Sequence, residues 1–427
     1  MEIKELYQKY LETGKVSTDT RHITSGSVFF AIKGPTFNAN EFAREALEKG
    51  ASYAVVDEEK FVVSDRCILA GNGLKALQDL ARYHRSQLRI PVIGLTGSNG
   101  KTTSKELVSA VLSKKFKVYA TKGNLNNHIG VPLTILSIDA THEMAIVEMG
   151  ANHVGEIAAL SEIAQPTHGF ITNIGKAHIG AFGGFENIIR GKSELYQYLI
   201  MNDGIVFINS QNAILVNMAK RFKNPVFYPS FGSYYHCTLV NADPFVIIEA
   251  EDGEKIVTQM IGAYNFENIA VALCIGKFFG VDSHAANLNI AEYVPGSMRS
   301  QMIKRATNTI ILDAYNANPS SMEAAINNLS KMEAHQKVVI LGDMYELEGE
   351  AEAEHRKIGT MLQERGITKA YLCGPLMKAA QVTFPKGKYF SSKDELIVDL
   401  KENPIQNAII LIKGSRGMAM EKVVEFI

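Results

Sequence analysis

The run Gly97-Ser98-Asn99-Gly100-Lys101-Thr102-Thr103 has the residue types of a phosphate cradle. Its two glycines let the backbone turn tightly and approach an anion. Successive main-chain N–H groups, and the N-terminus of a helix behind them, then point at phosphate oxygens. Lys101 can reach the terminal phosphates of a nucleotide, and the Thr102 hydroxyl can bind Mg2+. The strict spacing G-x-x-x-x-G-K-[ST] asks for glycine where this chain has Leu95, so the first glycine comes two residues late.

Other segments carry groups able to serve such a site. Glu148 closes the apolar run from Met144. A carboxylate at the C-terminal end of a sheet strand is well placed to hold Mg2+ beside a phosphate, although an ordinary strand-ending acid would look the same. His178, in Thr172-Asn-Ile-Gly-Lys-Ala-His178, can ligate a metal or hydrogen-bond as a neutral imidazole; a lone histidine is more often structural. Lys192, in Gly191-Lys-Ser-Glu194, reads by composition as a surface lysine on a helix. Lys413-Gly-Ser415-Arg416 offers two cations and main-chain N–H groups, either an anion site or a basic surface turn. Asn316 and Asn318 either face a substrate or turn and cap the chain ahead of Pro319.

Strands and helices must aim these groups. The glycine-rich run lies between an apolar segment, Ile90 to Leu95, and an amphipathic one, Ser104 to Leu112, which predicts strand, loop and helix. Upstream, a strand at Ser27 to Ile32, a helix at Glu41 to Lys49 stopped by Gly50, and a strand at Tyr53 to Asp57 are expected. Downstream, strands at Met144 to Glu148 and Gly169 to Thr172 precede a hairpin, Phe245 to Met260, turning at Asp252-Gly253. A helix from Asn265 to Phe279 should stop at Gly280. From about Ser297 the strands Thr309 to Leu312, Lys337 to Leu341, Ala370 to Cys373 and Ala408 to Ile412 alternate with helical stretches, a doubly wound pattern. The fold expected is α/β in three domains, 1–88, 89–298 and 299–427. The central one is a mostly parallel sheet around the phosphate loop, and the last is Rossmann-like.

Composition narrows the partners. At 427 residues and 46% hydrophobic, the chain can fill several cores. A formal net charge of −1 gives no electrostatic case for nucleic acid or membrane surfaces. Four scattered cysteines have no metal or redox spacing, which predicts reduced thiols in a cytoplasm. No stretch approaches the roughly 20 apolar residues of a membrane helix, and Met1 to Tyr10 lacks the apolar core of a signal peptide.

Taken together, these segments resemble the Mur ligases, ATP-dependent peptide ligases of cell-wall precursor synthesis. The resemblance spans all three blocks. The family signature T-G-[ST]-N-G-K-T-[TS] stands at Thr96 to Thr103, and Gly123-Asn-Leu-Asn126-Asn127 followed by Gly130-Val-Pro132 is similar to the family's substrate-side loop. The resemblance implies ATP and Mg2+ as cofactors, with Thr102, Glu148, His178 and Lys192 around the metal and Lys192 carried as a carbamate. It implies Asn265 and Asn268 near the adenine, and Arg299 and Asp313 reaching phosphates and ribose from the third domain.

The run Asp313-Ala-Tyr315-Asn316-Ala-Asn318-Pro resembles the branch that adds D-alanyl-D-alanine to UDP-N-acetylmuramoyl-tripeptide. So do Leu341-Gly-Asp-Met-Tyr-Glu-Leu347 with His355 downstream, and Lys413-Gly-Ser-Arg-Gly-Met418. Ser17-Thr-Asp-Thr20-Arg21 and Phe29-Phe-Ala-Ile-Lys-Gly34 resemble its uridine-nucleotide domain. Two departures stand out: Phe37-Asn-Ala-Asn-Glu-Phe42 replaces a D-G-H-like run, and Thr20 replaces serine. The implied chemistry is an acyl phosphate made from ATP and captured by an amine, with the dipeptide carboxylate on Lys413 and Arg416 and Ser415 beside the substrate. A cytoplasmic monomer is expected. The rivals are a related ligase for another amino acid and a nucleotide switch that ligates nothing.

Overall fold

The computed structural model describes residues 2–296 and 298–427, so the expected boundary residue Ser297 lies outside it. Three main sheets organise the chain. The first is parallel, with strands Val16–Ser17, Val28–Phe30, Tyr53–Val56 and Cys67–Leu69 in that order. The helix expected from Glu41 is shorter, Ala43–Glu48. Asn38 accepts a hydrogen bond from Asn40 N and winds residues 39–42 into a tighter turn first. Gly50 then takes φ +103° and ends the element.

The central sheet has six parallel strands. From one edge they run Val226–Tyr228, Ile205–Asn209, His168–Ile171, Val92–Thr96, Met144–Glu148 and Val118–Ala120. Val92–Thr96 and Met144–Glu148 are buried along their whole length, as a parallel sheet covered on both faces requires. Their C-terminal ends point to one edge, where the phosphate loop and Glu148 emerge. The expected hairpin at Asp252-Gly253 is part of a separate antiparallel sheet, Thr238–Asn241, Phe245–Glu249 and Lys255–Ile261. It feeds the helix Asn265–Phe278, which stops before Gly280 at φ +67°.

The third sheet runs Gln301–Arg305, Asn308–Leu312, Ile409–Lys413, Lys337–Gly342, Lys369–Cys373 and Lys388–Phe390. Five strands are parallel, and Gln301–Arg305 is an antiparallel edge.

The junctions between domains differ in kind. One hydrophobic core runs without a break from Leu6, Phe30 and Leu77 of the first domain to Val131, Ile135 and Leu160 of the second. Polar groups bolt the same seam. Tyr10 donates to Leu136 O at 2.7 Å and Arg85 Nε to Ala164 O at 3.0 Å. His84 Nε2 sits 2.8 Å from Ile138 O, and burial lowers its pKa, so it is a neutral donor there. The third domain has its own cores, touched among the described residues of the second only by Ile179, Phe245 and Ile261.

Candidate functional site

A cleft of about 1160 Å³ opens where the three domains meet. The phosphate loop forms its floor. Gly97 takes φ +148°, and a Cβ there would lie 1.9 Å from Thr172 Oγ1. Gly100 takes φ +76°, with Asn268 Oδ1 2.6 Å from where a Cβ would stand. Both glycines are therefore required by close approach as well as by backbone angle. The end of the neighbouring strand pins the loop. Ser98 N donates to Asn173 O and Asn99 N to Asn173 Oδ1, each at 3.0 Å, and Thr172 Oγ1 donates to Asn99 O at 2.6 Å.

The helix Lys101–Leu112 starts directly from this loop. Its first internal bond runs from Ser104 N to Gly100 O, which leaves the N–H groups of Lys101, Thr102 and Thr103 for an anion. Lys101 Nζ folds back to Gly97 O at 2.8 Å. Burial lowers its pKa, the Glu148 carboxylate works against that, and the Arg299 charge adds to it.

Glu148 is the group best suited to a cation. It is 2% exposed. Its Oε1 accepts from Asn126 Nδ2 at 2.8 Å and from Thr102 Oγ1 at 3.3 Å, while Oε2 has no partner among the described residues. A buried carboxylate oxygen left without a donor is costly unless a cation meets it. Glu148 and Thr102 therefore fit an Mg2+ that takes its other ligands from water and phosphate. No cage of three His, Cys, Asp or Glu side chains exists among the described residues. His178 is not gathered onto Glu148. Its Nδ1 lies 2.6 Å from Glu346 Oε2 of the third domain, out of line for a hydrogen bond. Even so, the imidazole lowers the Glu346 pKa.

Lys192 is not the surface lysine its composition suggests. It is 1% exposed on the helix Phe185–Met201, with Nζ 3.3 Å from Ala151 O and 5.2 Å from the centre of the Phe182 ring. Burial, reinforced by the charge on Lys101, pulls its pKa down to about 7.

Beside the phosphate-loop helix, Asn268 Oδ1 accepts from Ser104 Oγ at 2.8 Å and its Nδ2 donates to Asn265 Oδ1 at 2.9 Å. This pair ties the helix Asn265–Phe278 to the phosphate-loop helix. From the third domain, the Arg299 guanidinium stacks 3.6 Å from the centre of the Tyr315 ring, with its Nε unpartnered. Asp313 accepts from Ser300 N at 3.1 Å and from Lys413 Nζ at 2.6 Å.

The expected dipeptide dock is not assembled. Lys413 is buried and spends its donors on Asp313 and on the carbonyl of Asn316 at 3.1 Å. Ser415 Oγ accepts from Tyr345 N at 2.8 Å. Arg416 is exposed, lies outside the cleft lining and pairs with Glu421 at 3.2 Å. A buried cation needs a partner on the spot, and Asp313 supplies it. Thr20 and Arg21 also lie outside the cleft lining, with Arg21 forked onto Asp19. Asn127 Oδ1 accepts from Ile129 N at 3.1 Å and Gly130 N at 2.9 Å, just ahead of the helix Gly130–Leu136, while Asn126 orients Glu148. The Asn316 side chain closes its own turn onto Ala317 N at 2.9 Å. Asn318 caps the helix Pro319–Lys331, and its Nδ2 reaches the phosphate loop at Asn99 Oδ1, 2.8 Å away.

Sequence reasoning passed over Lys176, Arg82 and Glu346. Arg82 and Glu346 line the cleft, and Lys176 pairs with Glu354 of the third domain at 2.9 Å. Arg82 lies on the helix Gly73–Gln87, where a lone cation reads as a solvated face, and a single charged residue in a loop carries no periodic or spacing signal. Lys176 and Glu346 each had a cue, their places in the runs that end at His178 and Leu347.

Comparison with known proteins accounts for nearly the whole chain. Residues 95–276 match the Mur ligase middle domain, and residues 298–416 match the Mur ligase glutamate ligase domain. The UDP-N-acetylmuramoyl-tripeptide–D-alanyl-D-alanine ligase of Bacillus subtilis is 33% identical, over 96% of this chain and 92% of that one. The enzyme of the same name from Escherichia coli is also 33% identical, with the same coverage. A crystal structure of MurF from Acinetobacter baumannii superposes with a TM-score of 0.89 at 30% identity, covering 99% of this chain and 97% of that one. MurF ligase from Thermotoga maritima in complex with ADP gives 0.86 at 27% identity, with 97% of each chain covered.

Proposed function

The chain belongs to the Mur ligase family, and from that premise we propose how its cleft carries out ligation. The protein is an ATP-dependent ligase that joins D-alanyl-D-alanine to UDP-N-acetylmuramoyl-tripeptide in peptidoglycan synthesis. The observation that carries the mechanism is the unpartnered Glu148 Oε2 beside the Thr102 hydroxyl, at the mouth of a loop whose helix N–H groups are free.

A carboxylate is a poor electrophile, so the tripeptide acid first takes the γ-phosphoryl group of ATP. The acyl phosphate that results is attacked by the dipeptide amine, and phosphate leaves. The first step brings anions together, so catalysis is mainly positioning and neutralisation of charge. The N–H groups of residues 101–103 hold the phosphates. Lys101 leaves Gly97 O for the γ-phosphate, and Arg299 approaches the same oxygens from the third domain. Thr102 and Glu148 would hold Mg2+, which would supply further positive charge beside the phosphates. His178 and a carbamate on Lys192 would complete a second ion site once His178 turns from Glu346. A neutral amine is what adds to CO2, and burial makes Lys192 neutral near pH 7. Asn265 and Asn268 face the adenosine, and Asp313, held by Lys413, faces the ribose.

The first domain, residues 1–88, would receive the uridine nucleotide, with 89–298 and 299–427 as the central and closing domains. Thr20 and Arg21 would meet the nucleotide, and Asn126, Tyr315 and Asn316 would lie along the acceptor path. The protein works as a monomer in the cytoplasm on this reading; no described helix is long and apolar enough to cross a membrane. An amine screen with ADP release as the readout tests it. D-alanyl-D-alanine should be the preferred amine with the UDP-linked tripeptide. Preference for D-glutamate or a free diamino acid would overturn the substrate assignment.

A further inference from the structure

The segment from Asn173 to Gly180 follows the central strand His168–Ile171 and runs along the face of the third domain. Its fit there is close. Lys176 N donates to Ser320 Oγ at 2.9 Å, and Lys176 Nζ meets Glu354 Oε1 at 2.9 Å. A Cβ on Gly175 would lie 2.8 Å from Ser320 Oγ. A Cβ on Gly180 would fall 1.3 Å from Glu348 Oε2 and 2.9 Å from the Leu347 carbonyl carbon. Glycine at both positions lets the third domain come down onto main chain.

The opposing surface is shaped to match. Glu346 and Glu348 hold φ of +63° and +44°, a conformation that costs a non-glycine residue energy unless its surroundings fix it. The Glu354 side chain is 5% exposed and takes Lys176 across the junction and Lys357 from its own helix. Asn318 works in both directions. Its Oδ1 caps the helix Pro319–Lys331 through Ser321 N at 2.9 Å, while its Nδ2 donates to Asn99 Oδ1 in the phosphate loop at 2.8 Å.

We propose that residues 173–180 form a docking strip for the third domain, and that Lys176, Glu354 and Asn318 are positioning residues that fasten it. None of the three needs to touch a reacting atom. Lys176 and Glu354 supply the attraction between the domains. Asn318 registers the third domain against the phosphate loop, so that Arg299 arrives over the nucleotide only when the strip is engaged. The apolar contact across this junction is sparse, so polar contacts, these together with Tyr264–Ser300, Asp243–Glu333 and His178–Glu346, set the fraction of molecules that are closed.

The test uses the full chain with Lys176→Met, Glu354→Gln, their double variant, and Asn318→Ser. Serine keeps the helix cap but is too short to reach Asn99. If closure is a prior equilibrium, weakening it lowers apparent affinity for every ligand that binds across the cleft by one common factor. Lys176→Met and Glu354→Gln should each raise KM for ATP and for D-alanyl-D-alanine about two- to fivefold, the range of a partly exposed ion pair. Saturating kcat should stay within about twofold. The double variant should be no worse than the worse single one, because both remove the same contact. Asn318→Ser should raise the same two KM values, and small-angle scattering should show all variants more expanded than wild type.

Unchanged KM values and scattering in the single variants would overturn the proposal. So would a double variant whose KM change equals the product of the singles, or a lowered melting temperature as the only effect. The kinetic arm rests on the ligase reading. A wild-type enzyme that releases no ADP with both substrates would defeat that reading, while the scattering arm would still judge the strip.

Discussion

Lys413 Nζ lies 2.6 Å from Asp313 Oδ2, with the two side chains 2% and 18% exposed. The last strand of the third sheet thus delivers a buried cation to the C-terminal end of its neighbour, Asn308–Leu312. The pair neutralises Lys413 and fixes the Asp313 carboxylate, which also accepts from Ser300 N. Removing one partner leaves the other charge buried. Lys413→Met should destabilise the third domain by about 3 kcal/mol. Thermal melting of that domain measures this, and a loss under about 1 kcal/mol would mean the pair is solvated.

Lys101→Ala should fold normally, because it removes a buried ammonium whose nearest partners are the loop carbonyls of Gly97 and Ser98. Turnover should fall by about 10²–10³, the usual cost of losing one transition-state charge contact. Steady-state ADP release checks this. Activity within a few-fold of wild type would remove Lys101 from the phosphate site.

Lys192 should take up CO2. Its pKa is near 7, so the neutral amine grows as pH rises through 7 and is lost to protonation below it. With 13C-bicarbonate, a carbamate resonance should be absent at pH 6, strong at pH 8, and missing in Lys192→Ala at both. Equal signal at the two pH values would break the link to this lysine.

Arg416→Ala should change the KM for D-alanyl-D-alanine less than twofold. The guanidinium is exposed and paired with Glu421, and an exposed pair contributes little. A C-terminally amidated dipeptide should nevertheless be a poor substrate, since it lacks the carboxylate that a cation of the cleft would meet. A tenfold effect of Arg416→Ala would return the carboxylate to that side chain.

Much of this site was readable because its signal is local. The phosphate loop is seven adjacent residues, and Glu148 ends a strand whose burial matches its apolar run. The helix Asn265–Phe278 and its glycine stop follow from propensity alone. Pairing across long separations was not readable. Lys413 and Asp313 are one hundred residues apart, and a cation in a glycine-bearing turn looks the same whether it is buried or free. The strand Thr238–Asn241 is exposed along its length, so it shows no alternation to detect. Gln301–Arg305 carries three polar residues out of five and lies at a sheet edge, where only one side must pair. Asn318 was ambiguous between cap and contact because it is both.

The unbroken core between the first two domains governs how the molecule comes apart. Leu77 and Val131 belong to one packed interior, so neither domain can lose its packing without uncovering the other. By sheets the chain has three parts; by cooperativity it has two. Calorimetry of the free protein should therefore resolve two endotherms, one for residues 1–296 as a unit and one for the third domain. A nucleotide bound across the cleft, held from both sides, should pull the two together. The first sheet and the phosphate loop thus share one rigid frame, and heat must melt that frame whole.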